Sequence, residues 1–352
     1  MTTIEGSEKM YEQRRALYSD LENRLNSKLL VYITSDKPGF ETQIGQDVID
    51  FFIEQLDKIG IVDKISLLLY TRGGDTAAAW NIVNLIKQYC EHFEVVIPHK
   101  AHSAGTLISI GANSIIMTKQ ATLGPIDPSV NNPLNPQIPN APLGVTFPVS
   151  VEAVKGYLEF AKEELRIKDD MALSNILIKL ADMVHPLVLG QVYRSRAQIK
   201  MLAEKLLKNQ ISDMKKIQKI ISFLCSDSGS HDYTINRREA KTSLGLNIVK
   251  PDDEMYILIK NIYDSISSEL EFTTPFDPSI VLTSHNGEYE VKRGLIESTN
   301  GGSSYFLTKG KFSMQMINGQ PNLQDNRIFE GWKYEPCSNK PNEQFDQQSY
   351  KI

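Results

Sequence analysis

Four short apolar runs dominate the first third of this chain: LLVYIT at 29–34, ISLLLYT at 65–71, FEVVIP at 93–98 and SIIM at 114–117. Each is too short for a typical helix, and each is apolar at consecutive rather than alternate positions. Strands of that kind have both faces covered, as in a parallel sheet lying between helical layers. The intervening segments supply the helices. Ile44, Val48, Phe51, Phe52, Leu56 and Ile59 recur at helical spacing, Asp75 to Cys90 reads as a helix, and another opens at Ser103 and continues from Leu107 to Ala112. This alternation predicts an α/β layered fold with right-handed crossovers.

The flanking regions differ in texture. Residues 1–27 read as a docking helix, with Leu17, Leu21 and Leu25 at spacing four, ahead of an α/β core at 28–130. Residues 131–149 form a proline-rich excursion, of the kind that serves as a lid, a binding segment or an oligomer contact. Residues 150–270 are helical, interrupted at Pro186 and by a loop holding His231. Within that region Asn236 and Glu239 resemble a helix-opening capping box, and Gly245 ends the helix. Short β-like runs between Gly and Asn turns make 271–335 a small β-rich extension, and the polar tail 336–352 is expected to be disordered.

Composition excludes several classes. The 352 residues are 41% hydrophobic and 23% charged, as in a soluble globular protein. A net charge of −5 argues against general affinity for nucleic acid or anionic membrane. No apolar run reaches the roughly 18 residues of a membrane helix, and the N-terminus lacks an apolar signal core. The three cysteines, Cys90, Cys225 and Cys337, are too scattered for a zinc site or a disulfide framework. The expectation is a cytoplasmic protein without a metal or cofactor.

Chemistry concentrates between Leu67 and Pro128. Gly73-Gly74 after a strand is a tight turn or a place where backbone amides approach a ligand closely. The missing third glycine and Asp75, which would repel a phosphate, make a dinucleotide site a poor reading. Ser103 is either a helix N-cap or a nucleophile beside a helix N-terminus, with the small residues Ala104 and Gly105 leaving room for a substrate. Both glycines and serine belong at the C-terminal edge of adjacent strands, where open parallel sheets bind ligands. Candidate bases include His99 and His102, which flank the serine, and His231 in the loop SDSGSHDYT; Asp127 lies in the turn GPIDP. Spacing alone does not choose among them.

The runs LLLYTRGGD, PHKAHSAGT, GANSIIM, LGPIDP and GSHDYTINRREAKTSLGLNIV together resemble the serine dehydrogenase proteinase family, over roughly residues 10–260. That family falls within the Clp protease, signal peptide peptidase A and crotonase group. The resemblance implies a crotonase/Clp-like α/β core and ATP-independent hydrolysis of peptide bonds by a homo-oligomer. It implies Ser103 as nucleophile, an oxyanion hole from Gly73, Gly74 and Ala104, His231 as base and Asp127 as its orienting acid. The chain departs from the family at Thr71-Arg72-Gly73-Gly74, where Arg72 replaces a proline and brings a cation to the site. Signal peptide peptidases use a lysine base, a role for which Lys155 is the alternative. Nothing in the sequence supports a nicotinamide site. Other functions open to the same fold are a non-catalytic peptide-binding scaffold and a crotonase-like acyl-CoA enzyme.

Overall fold

The structure is a computed structural model that describes residues 4–126, 129–139, 141, 144–227, 232–317 and 319–335. Its spine is an eight-stranded sheet in which five parallel strands continue into three antiparallel ones. The chain enters through helix α1 (Ile4–Leu25) and passes through β1 (Lys28–Thr34), α2 (Ile49–Ile59), β2 (Val62–Tyr70), α3 (Thr76–Ile86) and β3 (Cys90–Ile97). A two-residue strand β4 (Lys100–Ala101) leads into α4 (Ala104–Ile110), followed by β5 (Ser114–Met117) and β6 (Thr122–Leu123). Strands β1, β2, β3 and β5 pair in parallel, so the α/β reading of the core holds.

Successive side chains on these strands point to opposite faces, and both faces are dry. Leu30 and Tyr32 of β1, Ile65, Leu67 and Leu69 of β2, and Phe93, Val95 and Ile97 of β3 join one apolar cluster with Phe52, Leu56, Ile82 and Leu107 from the helices. Leu29, Val31, Ile33, Leu68 and Val96 join the other cluster, covered by Tyr18 and Leu21 of α1 and by Ile259, Ile262 and Ile266 of α10 (Asp253–Glu269). This double burial accounts for the consecutive apolar runs. Fully burying one such side chain contributes about 1.5–3 kcal/mol.

The proline-rich excursion is closed by a small antiparallel pair, β7 (Ser129–Val130) with β8 (Val149–Ser150). Beyond it stand α5 (Val151–Glu159), α6 (Asp170–Met183), α7 (Pro186–Leu207) and α8 (Met214–Ser222). Pro186 opens α7 rather than kinking a continuous helix, because its ring suits the first helical turn and His185 Nδ1 accepts from the Leu187 amide there at 3.2 Å. Val130, Val149, Val151, Val188 and Val192 form a separate small cluster, while α6 buries none of its residues. No helix among the described residues is long and apolar enough to cross a membrane.

The region after α8 is less uniformly helical than its composition suggests. Strand β9 (Ile235–Asn236) pairs with β6, and helix α9 (Arg237–Thr242) is capped by Asn236, whose side chain accepts from the Glu239 amide at 3.1 Å. Strand β10 (Ile248–Val249) then adds to the edge of the main sheet beside β5. The C-terminal β-rich part is no separate unit. After α11 (Pro278–Ser284), β11 (Glu288–Ser298) pairs antiparallel with β1, and β12 (Gly302–Ile317) and β13 (Gln320–Glu335) extend the same sheet. The tail 336–352 lies outside the described residues.

Candidate active site

The turn after β2 and the turn before α4 are stitched together by backbone. The Thr71 amide donates to Lys100 O at 3.1 Å, and the His102 amide returns a bond to Thr71 O at 3.1 Å. Both turns lie at the C-terminal ends of adjacent parallel strands, which brings Gly73 against Ser103. A Cβ built on Gly73 would lie 2.7 Å from Ser103 Cβ. Gly73 and Gly74 have φ of +121° and +143°, a region that favours glycine. Gly74 is also gripped on both sides by Ile44, whose amide donates to Gly73 O at 2.8 Å and whose carbonyl accepts from Asp75 at 2.9 Å. A side chain on Gly74 would fall on that backbone. Asp75 is the N-cap of α3, accepting from the Ala77 and Ala78 amides at 2.7 and 3.2 Å.

Ser103 occupies the N-cap position of α4 but does not act as a cap. Its φ of +49° and ψ of −112° are rare for a residue with a side chain, and its hydroxyl makes no capping bond. A backbone so held costs on the order of 1–3 kcal/mol, and such strain clusters at functional sites. It thrusts the serine out of a sharp strand-to-helix turn, as in nucleophile elbows. The surroundings enforce the conformation. All seven residues of α4 are buried, and Thr106 Oγ1 donates to the carbonyls of Ala101 and Gly124 while accepting from the Gly124 amide.

The amides near Ser103 divide into committed and uncommitted. Gly73 N–H donates to Thr71 Oγ1 at 3.1 Å, and Gly105 N–H donates to His102 O at 2.8 Å. Of the three proposed oxyanion donors, Gly73 is therefore already engaged, because its neighbour's hydroxyl folds back onto it. The amides of Gly74 and Ala104 make no hydrogen bond among the described residues.

A cavity of about 470 Å³ opens over Ser103. His102 lines it, with Nε2 at 2.9 Å from Thr122 Oγ1. So do Asp36, Glu41, Arg72, Lys100 and Asp232. Asp36 Oδ2 accepts from Tyr70 Oη at 2.7 Å and pairs with Lys100, whereas Asp36 Oδ1 is buried with no hydrogen bond and has Arg72 Nε only at 3.8 Å. Burial first, and then the neighbouring Tyr263 and Asp36, push the Tyr70 phenol far above its ordinary pKa, so it serves as a neutral donor. Arg72 reaches Glu41 at 3.6 Å.

The other sequence candidates are placed as follows. His231 and Asp127 lie outside the described residues; Asp232, next in the chain to His231, lines the cavity. His99 is not in the cavity wall and stacks on Tyr263 at 6.1 Å; burial, then Lys100, lowers its pKa. Lys155 is not in the wall either. It pairs along its own helix with Glu152 at 3.6 Å and Glu159 at 3.3 Å, an arrangement fixed by their i,i+3 and i,i+4 spacing. No motif in the sequence marks Asp36, Glu41 or Lys100. The available signal was position: Asp36 follows the buried strand β1 at the same sheet edge, and Lys100 precedes the serine within the run PHKAHSAG.

One comparison with known proteins falls on the same stretch. Residues 57–142 match the family model of the ClpP-like SDH-type serine proteinases, which bears out the expected resemblance across the segment carrying Gly73, Gly74 and Ser103. The uncharacterized protein MJ0137 of Methanocaldococcus jannaschii is 29% identical over 197 residues, 56% of this chain and 57% of that protein. A second uncharacterized protein of that organism, MJ1495, is 28% identical over 184 residues, 52% of this chain and 51% of its own. The chain thus spans about half the length of the curated relatives it matches. Among solved structures, a mutant of the 1510-N membrane-bound stomatin-specific protease aligns over 67% of this chain and 86% of its own, with 18% identity and a TM-score of 0.36. ClpP1 from Listeria monocytogenes aligns over 67% and 97%, with 16% identity and a TM-score of 0.34.

Proposed function

We propose that this protein is an ATP-independent serine peptidase with Ser103 as its nucleophile. The observation that carries the reading is Ser103 itself: a strained serine with an uncapped hydroxyl, packed on Gly73 beside the uncommitted amides of Gly74 and Ala104. The serine-proteinase family match over residues 57–142 supports it. Ser103 Oγ attacks the peptide carbonyl carbon while a base takes its proton. The carbonyl oxygen becomes an oxyanion held by the Gly74 and Ala104 amides. The C–N bond then breaks as the base returns the proton to the leaving amine, and water releases the acyl group from the serine by the reverse sequence.

His231 is the proposed base and Asp127 its orienting acid. His231 immediately precedes the cavity-lining Asp232, whereas Lys155 is held between two carboxylates away from the cavity. A histidine accepts a proton near neutrality; a lysine must first lose about three pKa units. His231→Ala is expected to lower kcat by about 10²–10⁴-fold, and Lys155→Ala to leave it nearly unchanged. The opposite ranking of the two variants would assign a serine–lysine dyad instead.

The active form is proposed to be a homo-oligomer. Helix α6 buries none of its residues, and Met171, Leu177, Ile178 and Met183 stand exposed on it. Light scattering at micromolar concentration is expected to give a multiple of the chain mass; the monomer mass would contradict assembly.

A further inference from the structure

A second cavity, of about 300 Å³, lies beside the first, and Glu41 stands in the wall of both. Strands outside the family-matched segment build most of it. Tyr32 comes from β1, Phe306 from β12 and Trp332 from β13, giving three aromatic walls. The carboxylates of Glu41, Asp47 and Glu330 also line it, against one described cation, Arg293. That cation is already committed. Its guanidinium donates to Phe40 O at 3.2 Å, Glu41 O at 2.7 Å, Thr308 Oγ1 at 3.2 Å and Glu330 Oε1 at 3.2 Å. Glu330 is further held by Arg327.

Of these acids Asp47 has no cation partner among the described residues, and Glu41 has a single loose one. Asp47 Oδ2 accepts from the neutral Trp332 Nε1 at 2.9 Å, and Glu41 has Arg72 only at 3.6 Å. Aromatic faces combined with the unpaired Asp47 and the loosely held Glu41 fit a cation on an apolar stem, whose methylenes lie on the rings and whose charge meets the acids. A carboxylate side chain would meet like charge there.

We infer that this second cavity is a specificity subsite for a lysine or arginine side chain of the peptide substrate, seated near the bond attacked at Ser103. The inference rests on the peptidase reading and names the substrate class for it. Asp47 and Glu41 supply the charge, and Trp332 and Phe306 the walls. The C-terminal strands thereby acquire a role in the same site as the serine.

The test is a panel of fluorescent peptides of one sequence in which Lys, norleucine or Glu is placed in turn at each position. Binding to Ser103→Ala protein is read by anisotropy, and hydrolysis by the unaltered protein is read separately. At one position Lys is expected to bind at least about tenfold tighter than norleucine, with Glu weakest and the preference weakening with salt, as for a screened charge contact. In Asp47→Asn with Glu41→Gln on the Ser103→Ala background, the Lys preference in binding should shrink to less than about threefold. The amide introduced by Asp47→Asn keeps an acceptor oxygen for Trp332, so packing is preserved. Equal binding of Lys and norleucine at every position, or a preference for Glu, overturns the subsite. Hydrolysis without such a preference would overturn it while leaving the peptidase reading intact. Lys-selective binding without hydrolysis would support the subsite and count against the peptidase.

Discussion

Ser103→Ala is expected to lower peptide hydrolysis by about 10⁶-fold while leaving the fold intact, because removing a nucleophile leaves only the rate enhancement of about 10³–10⁴ over water from binding and the oxyanion hole. The two halves of this expectation come from different features. The hydroxyl makes no capping bond, so its loss removes no helix-terminal interaction. The backbone strain at φ +49° belongs to the position and persists with alanine. Ser103→Gly is then the informative companion. Glycine accepts positive φ freely, so this variant should be equally inactive yet at least as stable as the alanine variant. Hydrolysis rates and thermal unfolding of the two proteins check both halves. Undiminished hydrolysis in either variant would remove Ser103 from the chemistry.

Arg14→Ala is expected to destabilise the protein by about 3–5 kcal/mol, the usual cost of leaving a buried charge unpaired. Arg14 is 1% exposed, and its guanidinium grips Glu297, 0% exposed, at 3.1 and 2.6 Å and Glu269 at 2.7 Å. Lys292 completes the group at 2.8 Å from Glu269, and Tyr18 donates to Glu297. Burial works against the Arg14 charge, but Glu297 and the other neighbours outweigh it and hold the guanidinium above its ordinary range. The network ties α1 to α10 and to β11, so the loss should detach the N-terminal helix from the sheet. The group also sets a pH dependence. Burial raises the Glu269 carboxyl, yet Arg14 and Lys292 overcome this and leave its folded pKa below the unfolded one. Its contribution is therefore present above the ordinary carboxylate range and lost as pH falls through the folded value. Urea unfolding at neutral pH measures the difference; a change below about 1 kcal/mol, the scale of a surface pair, would contradict a buried network.

What the sequence made legible follows the strength of local signals. Runs such as ISLLLYT carry the parallel core because burial on both faces leaves no polar alternation to misread. Asn236 is readable as a cap because its function is local. Non-local pairings are harder. Ile248–Val249 is too short to stand out, and nothing within EYEVKRGLIES reveals that it pairs with β1 some 260 residues earlier, Leu30 facing Ser298. The buried Arg14 hid for the same reason: among the charges of a polar helix, only its distant partners mark it. At the site, motif and spacing brought Gly73, Gly74 and Ser103 to one sheet edge. They did not separate a capping serine from an uncapped one, since that distinction is a dihedral angle. Nor did they show that Thr71 takes the Gly73 amide or that Asp36 and Lys100 share the cavity.

The central claim is that Ser103 is an activated nucleophile. The direct measurement is reaction of the whole protein with a fluorophosphonate probe, followed by mass spectrometry of its peptides and parallel assay of peptide hydrolysis. The expected result is a single phosphonate on the peptide containing Ser103, forming in step with loss of hydrolysis and absent from Ser103→Ala. Peptide hydrolysis that survives full modification of Ser103, or that disappears with the phosphonate on a different residue, would contradict it.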